Sequence, residues 1–227
     1  SEPPSKTYGD APFTLGNAST TEGLPVTYTA ADPTVVSISG NEATILKAGT
    51  TTITATQAGN ANYLPAEVTQ ALVVAKPATT VRAYAGQFKR YGADDVTYSY
   101  QVTSGSLVSG DVFTGKLSRV AGESAGNYAI TQGTLTAGPN YNLTFVSNDF
   151  VVFKQPVTVA ALPGQTKTYG ATDPVFTYHI TSGAVVNGDA FTGALSRASG
   201  ESVNSYAITQ GTLALNSNYD LTFESKD

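Results

Sequence analysis

The chain has 227 residues, no cysteine, no tryptophan, no methionine, one histidine and a formal net charge of −5, with 13% of its residues charged. The missing cysteine excludes thiol catalysis and thiolate metal clusters, and no apolar run approaches the ~20 residues of a membrane span. Lys89-Arg90 is the one adjacent basic pair, so the clustered cations that a nucleic acid or an anionic membrane requires are missing.

What remains favours an all-β protein. Val, Ile, Thr, Tyr and Phe suit a pleated surface, and 22 glycines and 11 prolines punctuate the chain with turns. From the N-terminus, Lys6-Thr7-Tyr8-Gly9-Asp10 opens the pattern. Extended segments are expected at Val26-Thr27-Tyr28-Thr29, around Val35-Val36-Ser37-Ile38-Ser39 before Gly40-Asn41, through Gly49 to Thr56, and from Val68 to Val74. Val73-Val74-Ala75-Lys76-Pro77 then leads from a closing strand through a lysine and a proline into the next strand. Val152-Phe153-Lys154-Gln155-Pro156 repeats this junction. With no Gly/Ser-rich linker, such junctions restrict bending, and a semi-rigid rod is expected.

Beyond the first junction the chain repeats itself. Tyr91-Gly92-Ala93 through Phe145 returns without a gap as Tyr169-Gly170-Ala171 through Phe223, an offset of about 78 residues that signals an array of modules. Alternation of period two places Val96, Tyr98, Tyr100 and Val102 on one strand face, and Phe176, Tyr178 and Ile180 likewise in the second copy. Tyr141, Leu143 and Phe145, matched by Tyr219, Leu221 and Phe223, form another such strand. No segment shows sustained helical periodicity; residues 105–112 and 183–190 fit one helical turn at most. The second copy stops at Asp227, aligned with Asp149, ahead of any counterpart of Phe150-Val151-Val152-Phe153. Three modules are therefore expected, at 1–76, 77–153 and 154–227, the last lacking its final strand. Its open sheet edge could pair with another chain in an otherwise monomeric protein.

Few residues suggest chemistry. His179 stands alone on the polar face of its strand where the first copy has Gln101, which leaves no material for a catalytic triad. Asp95, Asp111, Asp173 and Asp189 recur at matched positions and are the available calcium ligands, although no Asp-x-Asp-x-Asp-Gly loop is present. The alternative is that Asp111 and Asp189 cap turns. Arg119 and Arg197 either fold back onto Glu123 and Glu201, four residues on, or read a glycan carboxylate. Tyr91 and Tyr169 precede a turn glycine; each either plugs a sheet end with its hydroxyl on backbone or offers a sugar-stacking face.

Two resemblances organise these observations. The run Asp32-Pro33-Thr34-Val35-Val36-Ser37-Ile38-Ser39-Gly40-Asn41, followed by Ala48-Gly49-Thr50-Thr51-Thr52-Ile53-Thr54-Ala55-Thr56-Gln57-Ala58-Gly59-Asn60, resembles a bacterial Ig-like domain of the BIG2 type. The two later copies resemble the MBG domain of the YGX type through Tyr91-Gly92-Ala93 and Tyr169-Gly170-Ala171, with the Gly-Asp, Leu-Ser-Arg, Gly-Glu and Tyr-Ala-Ile-Thr-Gln-Gly-Thr-Leu elements in order. The resemblances imply tandem β modules, an Ig-like sandwich followed by two sandwich or β-grasp-like modules, of a large bacterial surface-bound or secreted protein such as an adhesin. They supply no catalytic residue and no cofactor. The expected role is a non-catalytic extracellular stalk presenting a distal adhesive or enzymatic domain. The alternative is that the repeats themselves bind glycan, mucin or a neighbouring surface protein with multivalent avidity.

Overall fold

In the computed structural model, residues 5–17 and 19–226 are described, and no helix occurs among them. The N-terminal region carries β1 (Lys6–Thr7), β2 (Phe13–Thr14), β3 (Thr27–Ala30), β4 (Val36–Ser39), β5 (Glu42–Ile45), β6 (Gly49–Gln57) and β7 (Ala66–Ala75). They form two sheets, β1-β7-β6-β3 and β2-β5-β4. Alternation builds the core between them: Ile53 of β6 and Leu72 and Val74 of β7 meet Val36 and Ala43 of the other sheet, with Tyr8, Phe13 and Tyr28 closing the margins. The β4–β5 hairpin turns at Gly40, whose φ of 62° lies in the left-handed region.

The first repeat copy carries β8 (Ala78–Ala83), β9 (Gln87–Arg90), β10 (Tyr100–Ser104), β11 (Ser118–Arg119), β12 (Gly126–Thr131), β13 (Asn142–Val146) and β14 (Asp149–Phe153). These give sheets β10-β8-β13 and β11-β12-β14-β9. The second copy carries β15 (Gln155–Ala161), β16 (Tyr178–Ser182), β17 (Ser196–Arg197), β18 (Ile208–Thr209) and β19 (Tyr219–Glu224), in sheets β16-β15-β19 and β17-β18. Val157, Val159 and Ala161 of β15 share a core with Leu195, Ile208, Leu213 and Tyr219, so both sheets of this copy face one interior. The junctions are as short as expected: Lys76 and Pro77 alone separate β7 from β8, and Lys154 alone separates β14 from β15.

Contacts group the chain into two compact units that cut across the repeat. One takes the chain through Ala83 with Ser99–Ser118 and Gln132–Ser147; the other takes Tyr84–Tyr98, Arg119–Thr131 and the chain from Asn148 onward. Two sequence expectations change. The strands expected from Val96 and from Phe176 begin only at Tyr100 and Tyr178, and in the first copy the chain passes from one unit to the other after Tyr98. Tyr98 packs edge-on against Phe150 with centroids 5.2 Å apart, whereas Tyr100 packs against Phe113 at 5.8 Å. A single sheet face cannot serve both. The one-turn helices fitted to 105–112 and 183–190 do not form. Each segment is instead a loop closed by a turn, Asp111 N–H donating to Val108 O and Asp189 N–H to Val186 O, both at 3.0 Å. The counterpart of β14 in the second copy would start at Asp227, which lies outside the described residues.

Candidate functional site

Two constructions recur, and each gathers residues that the sequence singled out. The first is a joint made by the Tyr-Gly corner. Gly9 and Gly92 have φ of 97° and 83°, a conformation that lets the chain turn sharply behind the tyrosine. The hydroxyl of Tyr8 donates to Asp111 Oδ2 at 3.0 Å, 103 residues ahead. That of Tyr91 donates to Asp189 Oδ2 at 2.9 Å, 98 residues ahead. Each tyrosine therefore reaches past its own β segment into the next one.

The receiving end is also built twice. Tyr141 donates to Asp111 Oδ2 at 2.5 Å and accepts from Val108 N–H at 2.8 Å; Tyr219 donates to Asp189 Oδ2 at 2.7 Å and accepts from Val186 N–H at 2.8 Å. The paired rings meet edge-on, Tyr8 with Tyr141 at 5.6 Å and Tyr91 with Tyr219 at 5.5 Å. A neighbouring asparagine adds a clasp: Asn140 Oδ1 accepts from Ala48 N–H at 3.1 Å, and Asn218 Oδ1 from Ala125 N–H at 2.8 Å. Glycine has a second purpose here, because a methyl group on Gly9 would lie 2.6 Å from Val108 Cγ2, and one on Gly92 would overlap Val186 more closely still. Burial and the adjacent Asp111 push the Tyr141 hydroxyl up to about 12, and burial with Asp189 pushes Tyr219 to about 12.

The second construction is a cluster of four charges. Lys89 bonds Asp95 at 2.8 Å and also Glu123; Arg119 bonds Asp95 through Nε at 2.8 Å and Glu123 through Nη2 at 2.6 Å. The second copy repeats it: Lys167 bonds Asp173 at 2.9 Å and Glu201 at 2.8 Å, while Arg197 bonds Asp173 at 3.0 Å and Glu201 at 2.6 Å. Arg119 also donates to Gly122 O, and Arg197 to Gly200 O, which ties the turn carrying the glutamate to the guanidinium. The planes of Arg119 and Arg197 lie 5.0 Å from the rings of Tyr128 and Tyr206. Hydrogen bonds from Arg119, with Lys89 and Tyr98 behind them, hold the Asp95 carboxyl far below the usual carboxylate range; those of Lys167 and Arg197 lower Asp173. Burial opposes the charge on Lys89, but its bonds to Asp95 and Glu123 outweigh that and raise its pKa.

The residues singled out in the sequence therefore have the following settings. Arg119 and Arg197 do fold back on Glu123 and Glu201, and each also takes an aspartate 24 residues upstream. Asp95 and Asp173 carry these ion pairs, while Asp111 and Asp189 accept tyrosine hydroxyls. No group of three or more His, Asp or Glu side chains converges among the described residues. His179 is exposed on β16, opposite Ala160. The Tyr91 hydroxyl goes to a carboxylate rather than to backbone, a correction that follows from the distance its partner lies along the chain. Tyr169 is 73% exposed, and a methyl group on Gly170 would meet nothing within 4 Å, so this third Tyr-Gly corner is unoccupied among the described residues. Sequence reading did not find the joint. Its signal was that the N-terminal region keeps the Tyr-Gly corner of the repeats while lacking their Phe-Thr-Gly and Leu-Ser-Arg segments.

Fold and joints together define a tandem-repeat β protein whose successive segments are clasped by a recurring tyrosine–aspartate contact. The family model described as MBG domain (YGX type) matches residues 79–151 and 157–227, and the chain belongs to that family. It is not a known enzyme family. The match does not reach residues 20–75. No curated protein and no solved structure matches the chain.

Proposed function

We propose that this chain is a non-catalytic spacer segment of a bacterial surface-bound or secreted protein, which transmits tension while presenting a distal adhesive or enzymatic domain. In this reading residues 1–76 are a BIG2-type Ig-like module, and 77–153 and 154–227 are MBG modules. One observation carries it: in the N-terminal region and in the second copy the first strand lies parallel beside the last described strand, and in the first copy it lies parallel beside the last but one. β1 pairs with β7, β8 with β13, and β15 with β19, all in parallel register. Tension applied at the two ends of such a segment shears the ladder, so its hydrogen bonds must fail together. In an antiparallel hairpin pulled from its open end they fail one at a time. The clasps of Tyr8 and Tyr91 add a contact between consecutive segments that tension would also have to break. The alternative in which the repeats themselves bind a ligand would be favoured by exposed aromatics at matched positions. None appears among the described residues: Tyr84, Phe88 and Tyr169 are exposed, while their counterparts are Leu162, Thr166 and the half-buried Tyr91.

Single-molecule pulling tests the proposal. End-to-end loading is expected to require more force than pulling through cysteines placed at Thr50 and Val73, the open end of the β6–β7 hairpin. The N-terminal region, with two parallel register pairs, should yield before the second copy, which has six. Thr222→Pro, which removes a β19 donor, should lower the rupture force of the second copy alone. Equal forces in the two pulling geometries would overturn the tension-bearing role.

A further inference from the structure

The chain contains one Asn-Gly pair, Asn187-Gly188, and the fold places it inside the second joint. The pair spans the turn closed by Asp189 N–H donating to Val186 O at 3.0 Å, and both of its residues are exposed. Val186 and Asp189, on either side, are anchors of that joint. Val186 donates its N–H to the Tyr219 hydroxyl and lies against Gly92, while Asp189 Oδ2 accepts the hydroxyls of Tyr91 and Tyr219. The first copy has Ser109-Gly110 at these positions, also exposed, with a further repeat following it. Exposure of this turn therefore belongs to the repeat itself.

Asparagine is a chemically labile residue, most of all before glycine. The glycine main-chain nitrogen attacks the asparagine Cγ, expels ammonia and closes a five-membered imide, which water then opens at either carbonyl. The net change is amide and water to acid and ammonia, with no oxidant or reductant. Opening at one carbonyl gives aspartate; at the other it gives isoaspartate, in which the main chain runs through the side-chain carbon. Ring closure is favoured at Asn187. Gly188 has no Cβ to block the approach, and a methyl group there would meet nothing within 4 Å, so the ring has room. Neither the Asn187 side chain nor the Gly188 N–H is committed to a hydrogen bond among the described residues. Asn216, which precedes a serine, differs: its amide donates to Asp189 Oδ1 at 2.8 Å and accepts from Asn218 N–H at 3.0 Å.

We propose that Asn187 is a site of spontaneous modification, which converts to isoaspartate and loosens the second joint while the first stays intact. An extra main-chain carbon between Val186 and Asp189 shifts one anchor relative to the other, so the two no longer fit Tyr219 and Tyr91 together. The new carboxylate is exposed and contributes little by its charge alone. Ser109 gives the first joint no such chemistry. The site is independent of whether the protein serves as a spacer.

The test holds the full chain at pH 7.4 and 37 °C and follows every asparagine by peptide mapping with isoaspartate-specific methyl labelling. Asn187 should convert at least tenfold faster than any other asparagine, and faster still at pH 9, because the attacking nitrogen must lose its proton. In converted chain, amide exchange at Val186 and Asp189 should rise at least tenfold, with Val108 and Asp111 unchanged. Asn187→Ser, which installs the first copy's residue, should show neither change. Asn187 that survives in the folded chain while the free hexapeptide Val185–Ala190 converts would overturn the proposal. So would converted chain whose Val186 and Asp189 amides exchange as they do in fresh protein.

Discussion

In the first copy the side chains of Lys89 and Arg119 are 4% and 5% exposed; in the second, Lys167 and Arg197 are 21% and 11% exposed with the same kinds of partner at similar distances. The charge cluster therefore keeps its geometry whether or not a strand covers it. Local features set that geometry: the Arg-to-Gly carbonyl bond, the four-residue spacing to the glutamate and the ring beneath the guanidinium recur in both copies. Burial comes from β14, a separate part of the chain. The carboxylates are equally exposed in the two copies, Asp95 and Asp173 at 36% and 39% and Glu123 and Glu201 at 68% and 67%. The difference in burial therefore falls on the cations, and a more buried cation depends more on being paired.

The largest expected effect comes from opening the first copy to resemble the second. Phe150 is fully buried, and Phe150→Ala should cost about 4 kcal/mol in urea unfolding. It should also speed amide exchange through β9 and β12. A loss below about 1 kcal/mol would show that packing by β14 does not distinguish the copies.

The joints give a sharper pair. Gly92 and Gly170 have φ of 83° and 82°, so alanine at either position carries the same backbone penalty, about 1 kcal/mol. Gly92→Ala also drives a methyl into Val186 while Gly170→Ala meets open space, so the first should lose roughly 2 kcal/mol more. Equal losses in paired thermal melts would remove the joint as a source of stability.

Changing pH separates the two constructions. Tyr141 and Tyr219 are raised from 10.0 to about 12, so their contribution is complete below pH 10 and disappears as pH rises through about 12. Both joints should weaken together in that window. Asp95 and Asp173 are lowered, by Arg119 foremost in one case and Lys167 in the other, so their contribution is present above the usual carboxylate range and disappears as pH falls below about 4. Acid should affect the first copy more, because Tyr98 gives Asp95 a further donor where the second copy has Phe176. Exchange-detected stability at pH 7 and pH 3 checks this, and identical losses in the two copies would contradict it.

The smallest effect has the opposite sign. Thr79 is fully buried with its hydroxyl unpartnered, and the second copy has Val157 at the same position. Thr79→Val should stabilise the first copy by about 1 kcal/mol, since a buried hydroxyl without a partner is a net cost. A destabilised variant in differential scanning calorimetry would mean that this hydroxyl has a partner.

The sequence by itself determined the all-β class and the repeat, and offered the Arg–Glu pairing as one of two readings of the arginines. Each is written within a short stretch: period-two alternation, a copied string, a four-residue spacing across a glycine turn. Tertiary structure decided what depends on distant partners. Nothing near Tyr91 marks Asp189 as its acceptor, and nothing near Lys89 shows that Asp95 and Glu123 converge on it. The division of the first copy between two units was hidden for the same reason. Tyr98 and Tyr100 alternate as one strand face in sequence, yet their rings pack against Phe150 and Phe113 in different units. Periodicity records which residues leave water; which surface receives them depends on chain topology.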